Sequence, residues 1–244
     1  MIWLDQLSTV PRQWYEFLKL RPRGNNHTMV NVGAVGNLVD EMSNLLDKES
    51  GSTAPPGIKL DVPYHSQWED DAGLARRDCG PACVEMVGKY MNPSADVSTD
   101  DIMRFITGGS DRATSISELQ RASSELFGVT LRRVDGASPG PLGSCLVGCR
   151  PVIVLVHYGS FQMRMDRNYT AGHWMVVVGL DEIDYQGEKI ERVLLHDPDW
   201  WGDYKAQGAF IPVETNHFLR MWGDCVKDGN PAFLALVPVA AEAK

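Results

Sequence analysis

The run Asp78-Cys79-Gly80-Pro81-Ala82-Cys83 decides how the rest of the chain is interpreted. Pro81 suits the first turn of an α-helix, where a missing amide proton leaves no hydrogen bond unmade. Cys79 then stands at a helix start, where unpaired amides and the helix dipole favour a thiolate over a thiol. Gly80 leaves room beside the sulfur for a substrate carbonyl, and the amide of Cys79 can face a developing oxyanion. The run predicts a nucleophilic cysteine; the alternative is a buried structural thiol.

A second stretch, Gly172-His173-Trp174-Met175-Val176-Val177-Val178-Gly179, supplies a base for such a nucleophile. Its apolar residues predict a buried strand, and the glycine in front of His173 places the imidazole at the strand's end. A nucleophilic cysteine needs a base of this kind within hydrogen-bond reach. We predict that His173 is that base; the alternative is a structural strand histidine.

A third stretch, Leu194-Leu195-His196-Asp197-Pro198, ends the next predicted strand. A residue before proline is held extended, which keeps its side chain at the strand terminus. Asp197 is therefore placed to hydrogen-bond the His173 ring and fix its tautomer. Asp199 and His196 are rivals for this role, and a simple Asp-Pro turn is the alternative.

Working outward from these stretches, helices precede strands along the chain, which is typical of an α+β domain with a helical lobe beside an antiparallel sheet. A capping box at Ser115 and Glu118 marks one helix start, and Gly128 marks that helix's end. The predicted helices are Gly80–Tyr90, Ser98–Ile106, Ser115–Phe127 and Pro141–Cys149, and the strands are Lys59–Tyr64, Pro151–His157, His173–Asp181, Lys189–His196, Ala209–Val213 and Ala232–Val239.

The front of the chain differs from the rest. Val10–Leu20 and Thr28–Lys48 have the apolar stripes of amphipathic helices, and Glu49–Gly57 (ESGSTAPPG) has the composition of a linker. We therefore divide the chain into residues 1–57, a helical N-terminal arm and linker, and residues 58–244, the catalytic domain. The arm has too little apolar surface for a core of its own. We expect it to lie outside the active site and to attach to the domain's back face or to a partner chain.

Composition narrows the function classes. The 244 residues are 43% hydrophobic and carry a net charge of −9, which argues against a nucleic-acid or anionic-membrane partner. No apolar run has the length of a membrane span, and Met1–Gln13 lacks the pattern of a secretory signal. Five cysteines, an odd number, favour reduced thiols. We expect a cytoplasmic protein, or one carried in a virion or released by lysis, that needs no cofactor.

The cysteines also permit a metal site. Cys79 and Cys83, and then Cys145 and Cys149, form two pairs with three intervening residues each, and four thiolates could hold Zn²⁺. Each pair would lie one turn apart on a helix, where small apolar cysteines are more often part of the core. A zinc-stabilised binding module and a redox pair of Cys145 with Cys149 stay open as alternatives.

Four elements together carry a resemblance to a known family. DVPYHSQ at residues 61–67, DCGPAC at 78–83, GHWMVVVGLD at 172–181 and HDPDW at 196–200 resemble, in this order, the papain-like cysteine peptidase superfamily. They are most similar to its double-glycine (bacteriocin leader) peptidase-like branch, whose members occur in bacteria and phages. The resemblance covers residues 60–239 and leaves out the N-terminal arm.

The resemblance implies a papain-like fold, in which a helical lobe packs on an antiparallel sheet. It implies that Cys79 attacks, His173 is the general base, Asp197 orients the imidazole and Gln67 donates to the oxyanion. One feature departs from the family: the charged insert Trp68–Asp78 places Cys79 twelve positions after Gln67 rather than a handful. Either the insert loops out beside the cleft or another amide fills the oxyanion hole.

These patterns predict a cysteine hydrolase that cleaves a peptide or other amide bond through a thioester. The expected substrate is a polypeptide or a peptidoglycan cross-bridge. A different class of function is also open, because the apolar stripes of the N-terminal helices suit a structural or assembly protein that keeps the peptidase fold and docks through them.

Overall fold

A computed structural model of the chain describes residues 57–69, 77–110, 112–137, 139–161, 172–185, 187–225 and 233–239. The predicted N-terminal arm lies outside the described residues, apart from Gly57, and so does most of the charged insert before Cys79. The architecture that the described residues form is α+β, with helices packed on an antiparallel sheet, as predicted.

The helical lobe consists of α1 (Cys79–Met91), α2 (Thr99–Thr107) and α3 (Ile116–Phe127), whose bounds lie within one residue of the predicted ones. The predicted capping box is present on α3, where the Ser115 hydroxyl accepts from the Glu118 amide and the Glu118 carboxylate accepts from the Ser115 amide. Gly128 ends that helix with φ of 68°, the left-handed conformation that glycine adopts without a Cβ penalty. The fourth helix, α4 (Pro139–Val147), begins two residues before the prediction.

Helix α1 runs through the middle of the core. Its residues from Gly80 to Gly88 are all buried, and it packs against α3 and the sheet. At Gly88 the two helices approach so closely that a Cβ atom would overlap the ring of Phe127. The glycine lets α1 and α3 touch, and this contact fixes the direction in which α1 presents its first residue, Cys79.

The strands of the sheet are β1 (Ile58–Lys59), β2 (Leu131–Val134), β3 (Val152–His157), β4 (Gly172–Tyr185), β5 (Glu188–His196), β6 (Ile211–Glu214) and β7 (Ala235–Pro238). Their order in the sheet is β2-β7-β3-β4-β5-β6, with β1 paired to β4, and every pair is antiparallel. A fifth helix, α5 (Thr215–Gly223), packs on β3, β5 and β6.

Strand β4 is the centre of this sheet. Residues 173–180 are all buried whatever face they point to, so both faces of the strand are covered. Its first half pairs with β3, which brings Val156 opposite His173, and its next residues pair with β5, which brings Val176 opposite His196. In an antiparallel sheet this arrangement places the end of β3, the start of β4 and the end of β5 at the same end of the sheet, where these three central strands terminate.

Several predicted strands differ in extent from the structure. Of the run Lys59–Tyr64 only Lys59 lies in a strand, and further along the run the Val62 carbonyl accepts from the His196 ring. The strand predicted to end at Asp181 continues to Tyr185, and the one predicted at Ala232–Val239 is Ala235–Pro238. The strand predicted at Ala209 begins only at Ile211, because Phe210 has a φ of 53° and cannot continue a strand.

Among the described residues, no helix combines the length and apolar character needed to cross a membrane.

Candidate active site

Cys79 is the first residue of α1 and is only partly buried. The residue before it, Asp78, places no side-chain cap on the helix start, so the first amides of α1 are not taken up by that carboxylate. Helix-terminal amides and the helix dipole favour an anion at this position. The sulfur therefore lies where a thiolate is stabilised, at an accessible point of an otherwise buried helix.

His173 lies at the start of β4 and is only 4% exposed. Its ring is hydrogen-bonded to the Cys79 thiol on one side, and its Nε2 donates to Asp197 Oδ1 at 2.7 Å on the other. Because Asp197 occupies Nε2, the nitrogen that remains for the sulfur is Nδ1. The three side chains that the sequence singled out thus form one continuous hydrogen-bonded row.

The electrostatics of this row favour a charged imidazole. Burial by itself lowers the pKa of His173, but the charge and hydrogen bond of Asp197, together with the Cys79 contact, raise it to about 10. Cys83, one turn further along α1, lies in the core, where burial, followed by the charges of Cys79 and Asp197, raises its pKa. The two thiols of this helix therefore differ in their surroundings: Cys79 lies beside the His173 ring, and Cys83 is enclosed by the core.

Asp197 follows β5 directly and is fully buried. Besides the His173 ring, its carboxylate accepts from the Asp199 amide at 3.0 Å and from Trp200 Nε1 at 3.0 Å. Its backbone amide donates to the carbonyl of Gly208. These bonds satisfy a buried charge that, without partners, would destabilise the folded state by roughly several kcal/mol. They also hold the carboxylate in one orientation.

The rivals of Asp197 bond elsewhere. His196 is fully buried, with Nε2 donating to the Val62 carbonyl and Nδ1 accepting from the Phe210 amide. Asp199 accepts from side chains other than that of His173. Of the three candidates for the orienting group, Asp197 is the one whose hydrogen bond to His173 the structure shows.

Gln67 is buried at 5% exposure in the segment that precedes the charged insert. Its backbone amide donates to the carbonyl of Pro198 at 2.9 Å, and the hydroxyl of Ser66 donates to the carbonyl of Trp200, with the Pro198 carbonyl 3.3 Å away. The segment that carries Gln67 is therefore fastened to the loop that carries Asp197. This arrangement places Gln67 near the row by contacts with that loop, independently of the long segment that leads to Cys79.

Sequence reasoning missed Tyr158, which stands directly after β3. Its ring stacks on His173 with a centroid separation of 4.0 Å and an interplanar angle of 29°. Its hydroxyl lies 2.9 Å from Asp199 Oδ2 and 3.3 Å from Asp197 Oδ2. The register of β3 on β4 was the signal that could have found it, because Val156 pairs with His173 and the residues after β3 must lie beside the histidine.

The two cysteine pairs do not converge in the part of the chain that the structure describes. Cys83 and Cys145 are buried, whereas Cys149 is exposed, and each of these thiols is free. Among the described residues, no group of three or more His, Cys, Asp or Glu side chains is arranged to hold a metal ion.

No family model matches this chain, and no curated protein matches it. Among solved structures, one described as a C39-like peptidase from Bacillus anthracis is similar, with a TM-score of 0.51 and 15% identity over 76% of this chain and 98% of that chain. The structure of UfSP from C. elegans has a TM-score of 0.46 and 13% identity; the match covers 78% of this chain and 35% of that chain. At 15% identity the first likeness shows the fold alone. That fold is papain-like, as predicted.

Proposed function

We propose that this protein is a cysteine hydrolase that cleaves an amide bond, with Cys79 as nucleophile, His173 as base and Asp197 as orienting group. The observation that carries the proposal is the hydrogen-bonded row from the Cys79 thiol through His173 to Asp197 at the start of a buried helix. The likeness of the fold to a C39-like peptidase supports the same chemistry. A helix terminus, an imidazole and a carboxylate in this order are the parts that a thiol nucleophile requires.

The proposed reaction starts from the ion pair of the Cys79 thiolate and the His173 imidazolium. The sulfur attacks the substrate carbonyl carbon, and the carbonyl electrons move onto oxygen. As the carbon–nitrogen bond breaks, the His173 proton goes to the leaving amine and a thioester remains. Neutral His173 then takes a proton from water as the water oxygen adds to the thioester carbon. The carbon–sulfur bond breaks, and the acid is released with the thiolate and the imidazolium restored.

The oxyanion of both steps needs donors. The Cys79 amide at the helix start is one, and we propose the side-chain amide of Gln67 as the other. The hydrogen bonds between the Gln67 segment and the loop after Asp197 support this assignment. They can position Gln67 at the cleft whatever the length of the insert before Cys79. One such donor is worth about 10²–10³ in kcat in other amide hydrolases.

For the substrate we propose a polypeptide or a peptidoglycan cross-bridge. The motif order resembles the double-glycine peptidase-like branch, whose occurrence in bacteria and phages motivates the second choice. The net charge of −9 supports a partner that is neither nucleic acid nor an anionic membrane. The proposed reaction uses water and groups of this chain, including the backbone amide of Cys79.

The test of the proposed function is an activity-based thiol probe applied to the intact chain, with the modified cysteine located by mass spectrometry. We expect Cys79 to react first near neutral pH and the exposed Cys149, which serves as the internal reference, to react at the rate of an ordinary thiol. Cys79→Ser should abolish labelling at that site without loss of the folded state. Faster labelling of Cys149 in the wild-type chain would overturn the assignment.

For the N-terminal arm, residues 1–57, we propose an attachment role outside the active site. A chain that begins near Gly57 should label Cys79 as fast as the full chain. Its mass in solution should show a different assembly state, beyond the mass of the removed residues. Slower labelling by a folded truncated chain would show instead that the arm shapes the cleft.

A further inference from the structure

We propose that Asp199 is a positioning residue that holds the His173 ring and the Gln67 segment in one arrangement; this inference rests on the proposed function. Its carboxylate lies between two donors from opposite sides of the site. Asp199 Oδ1 accepts from Trp68 Nε1 at 2.8 Å, and Oδ2 accepts from the Tyr158 hydroxyl at 2.9 Å. Its backbone amide donates to Asp197 Oδ1 at 3.0 Å, which places the same residue against the orienting carboxylate.

The first connection runs from Asp199 to His173 through Tyr158. Tyr158 is 6% exposed and covers the face of the imidazole at 4.0 Å. A phenol has one proton to donate, and the shorter of its two carboxylate contacts is the one to Asp199. The hydrogen bond to Asp199 therefore fixes how far the tyrosine ring can slide, and the stacked ring limits how far His173 can turn away from the sulfur.

The second connection runs from Asp199 to Gln67 through Trp68, the next residue in the chain. The indole N–H of Trp68 donates to Asp199, and the backbone amide of Gln67 donates to the Pro198 carbonyl in the same loop. The position of Gln67 is thus held by its own backbone hydrogen bond and by the side-chain hydrogen bond of its neighbour Trp68. Because twelve positions separate Gln67 from Cys79, these bonds to the loop locate the glutamine better than the covalent connection can.

The position suits a carboxylate. The Trp68 indole N–H can only donate, the Tyr158 hydroxyl can donate or accept, and an ionised carboxylate accepts from both. An asparagine could still accept from Trp68 and donate to the Tyr158 oxygen, so it would keep both connections. Asp199→Ala removes both acceptor oxygens and breaks both connections at once.

The experiment compares the full-length wild-type chain with Asp199→Ala, Tyr158→Phe and Trp68→Phe, and uses Asp203→Ala as the matched control. Asp203 is exposed in the same loop, so its variant removes the same charge without touching the row. Two quantities are measured: the rate of Cys79 alkylation by iodoacetamide between pH 5 and 10, and hydrogen exchange of the peptide that spans residues 61–69.

If the proposal holds, Asp199→Ala alkylates at least 5-fold more slowly at pH 7, its pH profile differs in shape from that of wild type, and residues 61–69 exchange faster. Tyr158→Phe slows alkylation without faster exchange at residues 61–69, whereas Trp68→Phe speeds that exchange without slowing alkylation. The Asp203→Ala control stays within 2-fold of wild type. The double variant Asp199→Ala with Tyr158→Phe should alkylate little more slowly than the slower single variant, because both changes remove the same hydrogen bond.

The proposal is overturned if Asp199→Ala alkylates at the wild-type rate, or if Asp203→Ala slows alkylation equally. It is also overturned if Tyr158→Phe and Trp68→Phe both behave as wild type, since the charge of Asp199 alone would then explain its effect. Should Asp199→Ala fail to fold, the two aromatic variants decide by the same readouts. A wild-type chain whose Cys79 reacts no faster than Cys149 would overturn the proposed function and this inference together.

Discussion

Replacing Asp197 with asparagine tests the electrostatic part of the site most directly. The substitution keeps an oxygen that can accept from His173 Nε2 and removes the charge that raises the pKa of His173 from 6.5 to about 10. At about 1.36 kcal/mol per pH unit, that difference favours the imidazolium by on the order of 5 kcal/mol. Without the charge, burial is opposed chiefly by the Cys79 contact, and the pKa of His173 falls. We expect the imidazole of this variant to lose its proton at a lower pH than in wild type.

The sign of the pH dependence follows from the raised pKa. His173 contributes stability that is fully present below pH 6.5 and is lost as the pH rises through about 10. The free energy of unfolding of Asp197→Asn should therefore lie furthest below wild type near pH 6, and the gap should narrow toward pH 10. For reactivity, the loss of charge on His173 removes the cationic neighbour that activates a cysteine nucleophile. We expect alkylation of Cys79 at pH 7 to slow by about 10-fold.

The assay is the pH profile of iodoacetamide alkylation, read at Cys79 by mass spectrometry, with Cys149 in the same sample as the reference thiol. Circular dichroism melts at pH 6 and pH 10 supply the stability comparison. An Asp197→Asn profile that superimposes on the wild-type profile would refute the reasoning, because it would mean that the carboxylate does not set the charge of His173. New labelling of the buried Cys83 or Cys145 would instead mark loss of the fold.

Three further predictions concern the surroundings of the site. Glu191→Gln should stabilise the protein above pH 7 by on the order of 1–2 kcal/mol after solvent screening, and not below pH 4.5, because burial and then the charge of Glu182 raise the pKa of Glu191 to about 7; urea unfolding at pH 4.5 and 8 would check this, and equal gains at both would contradict it. Gly208→Ala should slow Cys79 alkylation, because a Cβ there overlaps the Asp197 carbonyl, and unchanged alkylation would be the contrary result. Glu85→Gln should cost about 1–3 kcal/mol in urea unfolding, since the buried carboxylate accepts from Thr99 and Lys89 at 2.6 Å each, and a cost below about 0.5 kcal/mol would show those bonds to be dispensable.

The sequence predicts the helical lobe well because its signals are local. The Ser115 and Glu118 capping box and the glycine at 128 lie within one helix, so their meaning does not depend on the rest of the fold. The same is true of Cys79, whose chemical setting is a helix start that Pro81 already marks. These features could be predicted because each rests on hydrogen bonds between residues a few positions apart.

Side chains that meet only through the sheet could not be predicted in the same way. Tyr158 lies in an ordinary-looking run after β3, and nothing near it in the chain marks it as a neighbour of His173. Trp68 likewise reaches Asp199 across 131 positions. Such contacts follow from strand order and register, which a single sequence with no known pairing leaves open. The strand ends shifted for a similar reason, since Val62 bonds to a histidine ring that is distant in sequence.

The register of three strands explains why the candidate catalytic residues lie together. Val156 pairs with His173, and Val176 pairs with His196. Tyr158, His173 and Asp197 therefore lie at the same end of the sheet, although they belong to three different strands or the residues that follow them. Side chains alternate between faces along a strand, so a slip of one residue in β4 would turn His173 to the other face, away from Cys79. The continuous apolar run after His173 opposes such a slip, because Met175 to Val178 are fully buried in their present positions. The strand residues that do no chemistry therefore determine where the imidazole lies, while α1, packed on the same strand, brings the sulfur to it.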